Sequence, residues 1–208
     1  FEQQVSSGAW PERREVREVD GSLAPLQGEA EFLRRGIPLS ERNFGELFKA
    51  AGYHTAVIGK WHLGHGPDFV PHKRGFDHSV VFYGNTSLQA TNPDDPEMFS
   101  LKVDFHDEAA DTAWTREGLN EIRKNGEIVK VDQYLMFYFR DQVVDFIARH
   151  QDSEQPFFLY FAMNSPVPPL QVPKRYFEAL RPTIPNIAQR GYNALLKAQD
   201  DAVRSVLA

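Results

Sequence analysis

The stretch Gly52–Gly64, GYHTAVIGKWHLG, decides the fold of this chain. Its residues 55–58, Thr-Ala-Val-Ile, are apolar and mostly β-branched, which predicts a buried strand, and Gly59 is expected to break that strand. Lys60 and His62 follow at once, at the strand's carboxyl end. Open α/β sheets bind ligands at this edge. Because an amine can hold an anionic oxygen and an imidazole can move a proton near neutral pH, the pattern predicts a site for an anionic ester.

Two helix–strand units are predicted from hydrophobic periodicity. Residues 39–51 repeat apolar side chains at helical spacing on one face, with Ser40 or Asn43 as the predicted N-cap. A second predicted helix, 134–150, precedes the apolar strand 157–163, which we expect to be covered on both faces. The repeated order predicts an α/β fold, with a mixed, mostly parallel sheet flanked by helices on both faces.

Weaker signals place the remaining elements. Asn125-Gly126 is a hairpin turn signal, which predicts a short strand on each side of it, and a closing helix is predicted at 192–207. We expect the first 28 residues to form a loop. Residues 87–111, rich in Asn, Asp and Pro, are predicted to be a long acidic loop with little regular structure. We interpret this loop as an insertion in one partial domain that covers residues 1–208.

Composition excludes several classes of function. The chain has 208 residues, of which 41% are hydrophobic and 25% charged, as in a globular domain. Its net charge of −6 gives no global attraction for nucleic acid or an anionic membrane surface. No apolar run approaches the roughly 20 residues that a membrane span needs. There is no cysteine, so disulfides, thiolate metal sites and cysteine nucleophiles are excluded within these residues.

Other motifs near the deciding stretch are less specific. The spacing of His62 and His65 could suggest a metal pair, but it lies on a loop and no third ligand is placed. Lys73 and Arg74 could face an anion, although a basic pair on a solvated loop is the favoured interpretation. The chain has no Gly-x-Ser-x-Gly nucleophile elbow, phosphate-binding P-loop or Rossmann glycine pattern.

The deciding stretch resembles the second signature of the sulfatase family, which belongs to the alkaline-phosphatase-like superfamily. That signature is Gly-Tyr-x-Thr, two or three apolar residues, and Gly-Lys-Trp-His-Leu-Gly. The segments LSERNFGELFKAAGY, PHKRGFD and PFFLYFAMNSPVPPLQVP are similar to family segments in order and spacing, and the similarity runs from Ser6 to Ala208. The resemblance implies an incomplete catalytic domain with an alkaline-phosphatase-like fold.

The resemblance also implies a reaction, the hydrolysis of a sulfate ester on a sulfated small molecule or glycan. Family members use a formylglycine nucleophile, made from Cys or Ser, beside a divalent cation that is usually calcium. Carried over to this sequence, Lys60 would bind the sulfate and the nucleophile's oxygen. His62 would hydrogen-bond the formylglycine hydroxyl and assist proton transfer.

Two departures from the family pattern are visible in the sequence. The formylglycine motif is absent, and we expect the nucleophile and the cation ligands to lie outside these 208 residues, so the chain alone should be inactive. Val167 stands where the family often has a histidine that contacts the sulfate, and valine has no hydrogen-bond donor. These departures leave two alternatives, a phosphate-ester hydrolase of the same superfamily and a non-catalytic relative that binds sulfated ligands.

Overall fold

A computed structural model describes most of the chain, namely residues 16–19, 22–25, 36–84, 87–92, 95–101 and 116–208. In chain order, the helices and strands are β1 (Val16–Val19), β2 (Ser22–Pro25), α1 (Phe44–Ala50), β3 (His54–Lys60), β4 (His78–Phe82), β5 (Met98–Leu101), β6 (Arg123–Lys124), β7 (Glu127–Ile128), α2 (Leu135–His150), β8 (Phe157–Ala162), β9 (Leu170–Pro173), α3 (Lys174–Ala179) and α4 (Ile187–Leu207).

The main sheet has the strand order β7-β6-β4-β3-β8. Strands β4, β3 and β8 run parallel, whereas β6 and β7 form an antiparallel hairpin at one side. The hairpin turns at Asn125 and Gly126, whose φ angles of 53° and 95° suit a tight two-residue turn. The predicted mixed, mostly parallel sheet is therefore confirmed, with β3 between two parallel neighbours.

Helices cover both faces of this sheet, as predicted. Helix α2 packs Phe139, Val143 and Phe146 against the face that carries Ile58. Helix α1 lies against the opposite face, where the ring of Phe48 stacks on that of Phe158 at a centroid distance of 4.1 Å. Helices α1 and α2 and the strands of the main sheet thus share one layered α/β core.

Helix α1 is shorter than predicted because its cap lies at Asn43 and not at Ser40. The amide of Glu46 donates to Oδ1 of Asn43 at 3.2 Å, and the amide of Asn43 donates to Oε2 of Glu46 at 2.9 Å. This reciprocal capping box satisfies two otherwise unpaired donors and fixes the first turn. At the other end, Gly52 has a φ of +87°, as expected for a glycine that follows a helix.

Two predictions about strands in the main sheet were wrong in detail. Gly59 does not break β3, which continues to Lys60 with Gly59 at a φ of +122°. Strand β8 is not covered on both faces, and Tyr160 is 50% exposed. The reason is position, because β8 is the outermost strand of this sheet in the described part of the chain.

The predicted acidic loop contains a strand. Within 87–111, β5 pairs antiparallel with β9, and helices α3 and α4 pack on this two-stranded sheet. A local pattern does not reveal a partner about seventy positions away in the chain. The predicted loop also includes residues 93–94 and 102–111, which lie outside the described residues.

The closing helix and the first residues also differ from their predictions. Helix α4 starts at Ile187, because the side chain of Asn186 accepts a hydrogen bond from the amide of Gln189 at 2.9 Å. Leu195 is buried and Leu196 is exposed, and the helix packs mainly on the β5–β9 sheet, while Val206 near its end packs against the core of the main sheet. Strands β1 and β2 form an antiparallel hairpin within the predicted loop 1–28, of which residues 1–15, 20–21 and 26–28 lie outside the described residues.

Among the residues described, no helix combines the length and the apolar character that crossing a membrane requires.

Candidate active site

The carboxyl end of β3 carries the two residues that the sequence singled out. Lys60 is the last residue of β3 and lies opposite Phe82, the last residue of β4. On the other side, Gly59 lies opposite Ala162, the last residue of β8. Three parallel strands therefore end at one level, and Lys60 emerges at their centre.

The backbone turns sharply at His62. Its φ of +52° lies in the left-handed region, which few residues other than glycine adopt without cost. Trp61 fixes the chain just before this turn, since its amide donates to the carbonyl of Phe82 at 3.0 Å and its indole Nε1 donates to the carbonyl of Phe69 at 2.9 Å. His62 therefore lies at an exposed turn directly after the buried side chain of Trp61. Such strained residues are frequent at functional sites.

Lys60 and His62 influence each other electrostatically. Partial burial lowers the pKa of the Lys60 amine. The His62 ring keeps contact with solvent, yet the protein atoms around it, and then the positive charge of Lys60, lower the pKa of the imidazole below its usual 6.5. An imidazole in this position is neutral at pH 7 and can accept a proton, while the adjacent amine favours a negatively charged ligand.

Sequence reasoning missed two polar residues in the loop that follows β8. Asn164 is only 5% exposed, and its Nδ2 lacks a hydrogen-bond partner among the described residues, as does the buried hydroxyl of Ser165. The available signal was a run of polar residues directly after an apolar strand. Val167, in the same loop, is 41% exposed and adds no polar group.

The basic pair after the deciding stretch has a structural role at one of its two positions. Arg74 is 1% exposed and donates to Oε1 of Glu46 at 2.9 Å and to the carbonyls of Ile37 and Glu41. The favoured interpretation of a pair in water was therefore wrong for Arg74, which ties α1 to the preceding segment. Lys73 is exposed, as that interpretation expected.

The described residues do not form a metal centre. In the parts of the chain that the structure covers, no group of three or more His, Cys, Asp or Glu side chains could hold a metal ion. The pair formed by His62 and His65 therefore gains no third ligand from these residues.

Comparison with known proteins identifies the family. The Sulfatase family model matches residues 18–208, so the chain belongs to the sulfatase family. N-acetylgalactosamine-6-sulfatase of Canis lupus familiaris is 32% identical over 173 residues, which cover 83% of this chain and 30% of that protein. Arylsulfatase J of Mus musculus is 34% identical over 178 residues, covering 82% of this chain and 26% of the relative. The chain thus spans less than a third of the length of these relatives.

Solved structures agree with this assignment. A crystal structure of Ps i-CgsB superposes with a TM-score of 0.67 and 27% identity, over 88% of this chain and 38% of that one. A second structure of Ps i-CgsB, in complex with k-i-k-neocarrahexaose, gives a TM-score of 0.66 and 26% identity, over 83% of this chain and 37% of that one. The fold is therefore an incomplete α/β domain of the alkaline-phosphatase-like kind that sulfatases have. Sulfatases generally use a divalent cation.

Proposed function

We propose that the protein that carries this chain is a sulfuric ester hydrolase, to which these residues contribute part of a single catalytic domain. The observation that carries the proposal is the placement of Lys60 and His62 at the carboxyl end of β3, where the positive charge of Lys60 lowers the pKa of the His62 ring. Both residues belong to the stretch that resembles a sulfatase signature, in a chain that belongs to the family. The activity is that of the whole protein, to whose site this chain would contribute Lys60 and His62.

In this proposal Lys60 binds an oxygen of the sulfate group. The amine stands at the end of a buried strand, where partial loss of water strengthens its attraction for an anion. A charge-assisted hydrogen bond of this kind contributes roughly 1.5–3 kcal/mol. Because sulfate carries negative charge in both substrate and transition state, this contact serves binding as well as catalysis.

His62 acts as the proton carrier. Its lowered pKa keeps the ring neutral at pH 7, so that one nitrogen can accept a proton from a nucleophile's hydroxyl and return it later. The left-handed backbone at His62 takes this residue out of the regular alternation of the strand. A bound anion beside Lys60 would offset the positive charge that lowers the pKa of His62.

Two further components are expected from other parts of the protein. A formylglycine would supply the nucleophilic oxygen, and a calcium ion or another divalent cation would stabilise negative charge. The formylglycine motif is absent from this sequence and no group of the described residues could hold a metal ion, so the nucleophile and the ligands of the cation would come from elsewhere in the protein. From this chain, Lys60 would bind the anion, and His62 would accept the proton and return it.

The substrate class that we propose is a sulfated carbohydrate. Relatives that match most of this chain include N-acetylgalactosamine-6-sulfatases, and one structural neighbour was solved with a neocarrahexaose. With a net charge of −6, the chain has no general attraction for polyanions. Recognition would then depend on local cations such as Lys60.

A comparison of matched esters tests this proposal. We expect the full-length protein to hydrolyse an aryl sulfate with a higher kcat/KM than the corresponding aryl phosphate. Replacing the imidazole in His62→Asn should lower kcat by about 10²–10⁴-fold, which is the usual contribution of a general acid or base. The control is His72→Asn, which changes an exposed histidine on another loop.

The other outcomes identify the alternatives. A preference for the aryl phosphate would indicate a phosphate-ester hydrolase. Val167 favours the third possibility, a non-catalytic relative, because it removes a donor from the loop after β8. That possibility requires binding of a sulfated sugar with no turnover by a protein whose nucleophile motif is intact.

A further inference from the structure

A cavity of about 350 Å³ lies at the edge of the sheet where the parallel strands begin. This amino edge is opposite the edge that carries Lys60. Its lining includes three histidines that come from three different elements. His54 is the first residue of β3, His78 is the first residue of β4, and His150 is the last residue of α2. The cavity therefore marks the place where the end of α2 docks on the beginnings of two central strands.

The rings around the cavity form a stack. The centroids of His54 and His150 are 4.5 Å apart with an interplanar angle of 19°. Phe146 lies beside all three histidines, at 4.2 Å from His150, 5.7 Å from His54 and 5.8 Å from His78. Neutral imidazoles pack well in such a stack, whereas two or three imidazolium ions at these distances repel one another.

The two carboxylates of the cavity already have partners. Asp77 accepts from the Lys49 amine of α1 at 2.6 Å and from the Thr55 amide at 3.1 Å, and it lies 3.8 Å from Nδ1 of His54. Asp145 accepts from Nε of Arg149 at 2.9 Å. Each carboxylate thus already pairs with a cation, and no acidic group is among the neighbours that shift the pKa of His78.

His78 is the most sensitive of the three histidines. Burial and then the neighbouring positive charges of Lys124 on β6 and Arg149 on α2, together with His54 and His150, lower its pKa to about 4. Every charged group that shifts the pKa of His78 is thus a cation or becomes one. On α2, Nδ1 of His150 lies 2.7 Å from the carbonyl of Phe146, an interaction that fixes the ring in the stack.

We propose that His54, His78 and His150, together with Phe146, form a pH-sensitive latch that holds the carboxyl-terminal end of α2 on the edge of the sheet where β3 and β4 begin, and that the latch loosens when the His78 ring takes up a proton. The latch is independent of the sulfate site, because it lies at the other end of β3 and uses none of the same residues. Loosening would begin in the last turn of α2 and in the first residues of β3 and β4.

The direction of the pH effect follows from His78. Its pKa is lower in the folded protein than the usual 6.5, so the unfolded chain binds more protons between these two values. The stabilisation is therefore present above about pH 6.5 and is lost as the pH falls toward 4. Between pH 7 and pH 5, the equilibrium constant for unfolding should increase on the order of tenfold through this group.

Urea unfolding of the full-length protein at pH 7 and pH 5 tests the latch. We expect His78→Gln to remove most of the tenfold increase, while the control His72→Gln, at an exposed position, leaves it unchanged. Hydrogen exchange should also show faster opening of the last turn of α2 at pH 5 in the unchanged protein. Equal pH dependence in His78→Gln and His72→Gln would overturn the proposal.

A second measurement applies if His78→Gln does not fold. In the unchanged protein, the imidazole of each histidine can be titrated by NMR. The proposal expects the His78 ring to titrate well below pH 6.5, the usual value for an imidazole. If it titrates at or above pH 6.5, the latch does not exist.

Discussion

Gly59 approaches the carbonyl oxygen of Ala162 so closely that no side chain fits between β3 and β8. Its φ of +122° is also unfavourable for any residue with a Cβ atom. The close contact sets the separation of the two strands immediately before Lys60. The position of the candidate anion-binding amine thus depends on a missing side chain in the preceding residue.

Replacing this glycine should separate β3 from β8. We expect Gly59→Ala to destabilise the protein by roughly 1–3 kcal/mol through the forced backbone shift, with further loss from the positive φ. The matched control is Gly52→Ala, since Gly52 also has a positive φ, but a Cβ there would meet no atom within 4 Å. Urea unfolding measures both, and equal losses would show that steric contact with Ala162 is unimportant.

The left-handed backbone at His62 predicts an unusual order of substitutions. Asparagine tolerates this conformation and β-branched residues do not, so His62→Val should be less stable than His62→Asn by about 1–2 kcal/mol. At Lys60, the end of a regular strand, the same pair should show no such penalty for valine. Both pairs can be compared by urea unfolding, and a penalty of equal size at the two positions would argue against a strained turn.

The buried contact between Arg74 and Glu46 predicts a loss of stability in acid. Burial alone would raise the pKa of the Glu46 carboxyl, but the hydrogen bonds from Arg74 and from the Asn43 amide lower it below 4.5. This stabilisation is present above pH 4.5 and is lost as the pH falls through the lower folded value. We expect Glu46→Gln to cost roughly 1–3 kcal/mol at pH 7, and less at pH 3.

Chemical denaturation at the two pH values measures this difference. Glu41→Gln is the control, because only the backbone carbonyl of Glu41 contacts Arg74. If Glu46→Gln lowers the free energy of unfolding by the same amount at both pH values, the charge of Glu46 adds nothing beyond a neutral hydrogen bond.

Val167 predicts a gain of activity. If the loop after β8 faces the sulfate, Val167→His would restore a donor whose loss typically costs about 10²–10³-fold in rate. We expect kcat/KM for an aryl sulfate to rise at least tenfold in the full-length protein. The control is Val144→His on α2, since Val144 and Val167 are both 41% exposed. Equal activity of the two variants would place residue 167 away from the substrate.

Local signals in the sequence predicted the central part of this fold well. The run of apolar residues around Ile58, the helical spacing in α2 and the Asn125-Gly126 turn each specify their own element. Lys60 and His62 were singled out by their place at the end of this strand, and their role in a site stays a prediction. These features depend on neighbours in the sequence, so they are visible without knowledge of the tertiary structure.

Features that depend on distant partners were not predicted. Strand β5 forms because β9 lies beside it, and the exposure of Tyr160 follows from the position of β8 in the sheet. Arg74 seemed to be a solvated charge because its acceptors lie 28 to 37 residues earlier in the chain. The left-handed turn at His62 was not predicted either, since a positive φ is uncommon for residues other than glycine.

Titration of inorganic sulfate into the full-length protein tests the central claim, with the His62 imidazole followed by NMR. Sulfate bound at Lys60 should saturate, should shift the His62 signals and should raise the pKa of the ring, because it offsets the charge that lowers this pKa. Lys60→Met should abolish all three effects, while the exposed control Lys73→Met keeps them. If sulfate perturbs His62 equally in the two variants, or not at all in the unchanged protein, Lys60 and His62 do not form an oxyanion site.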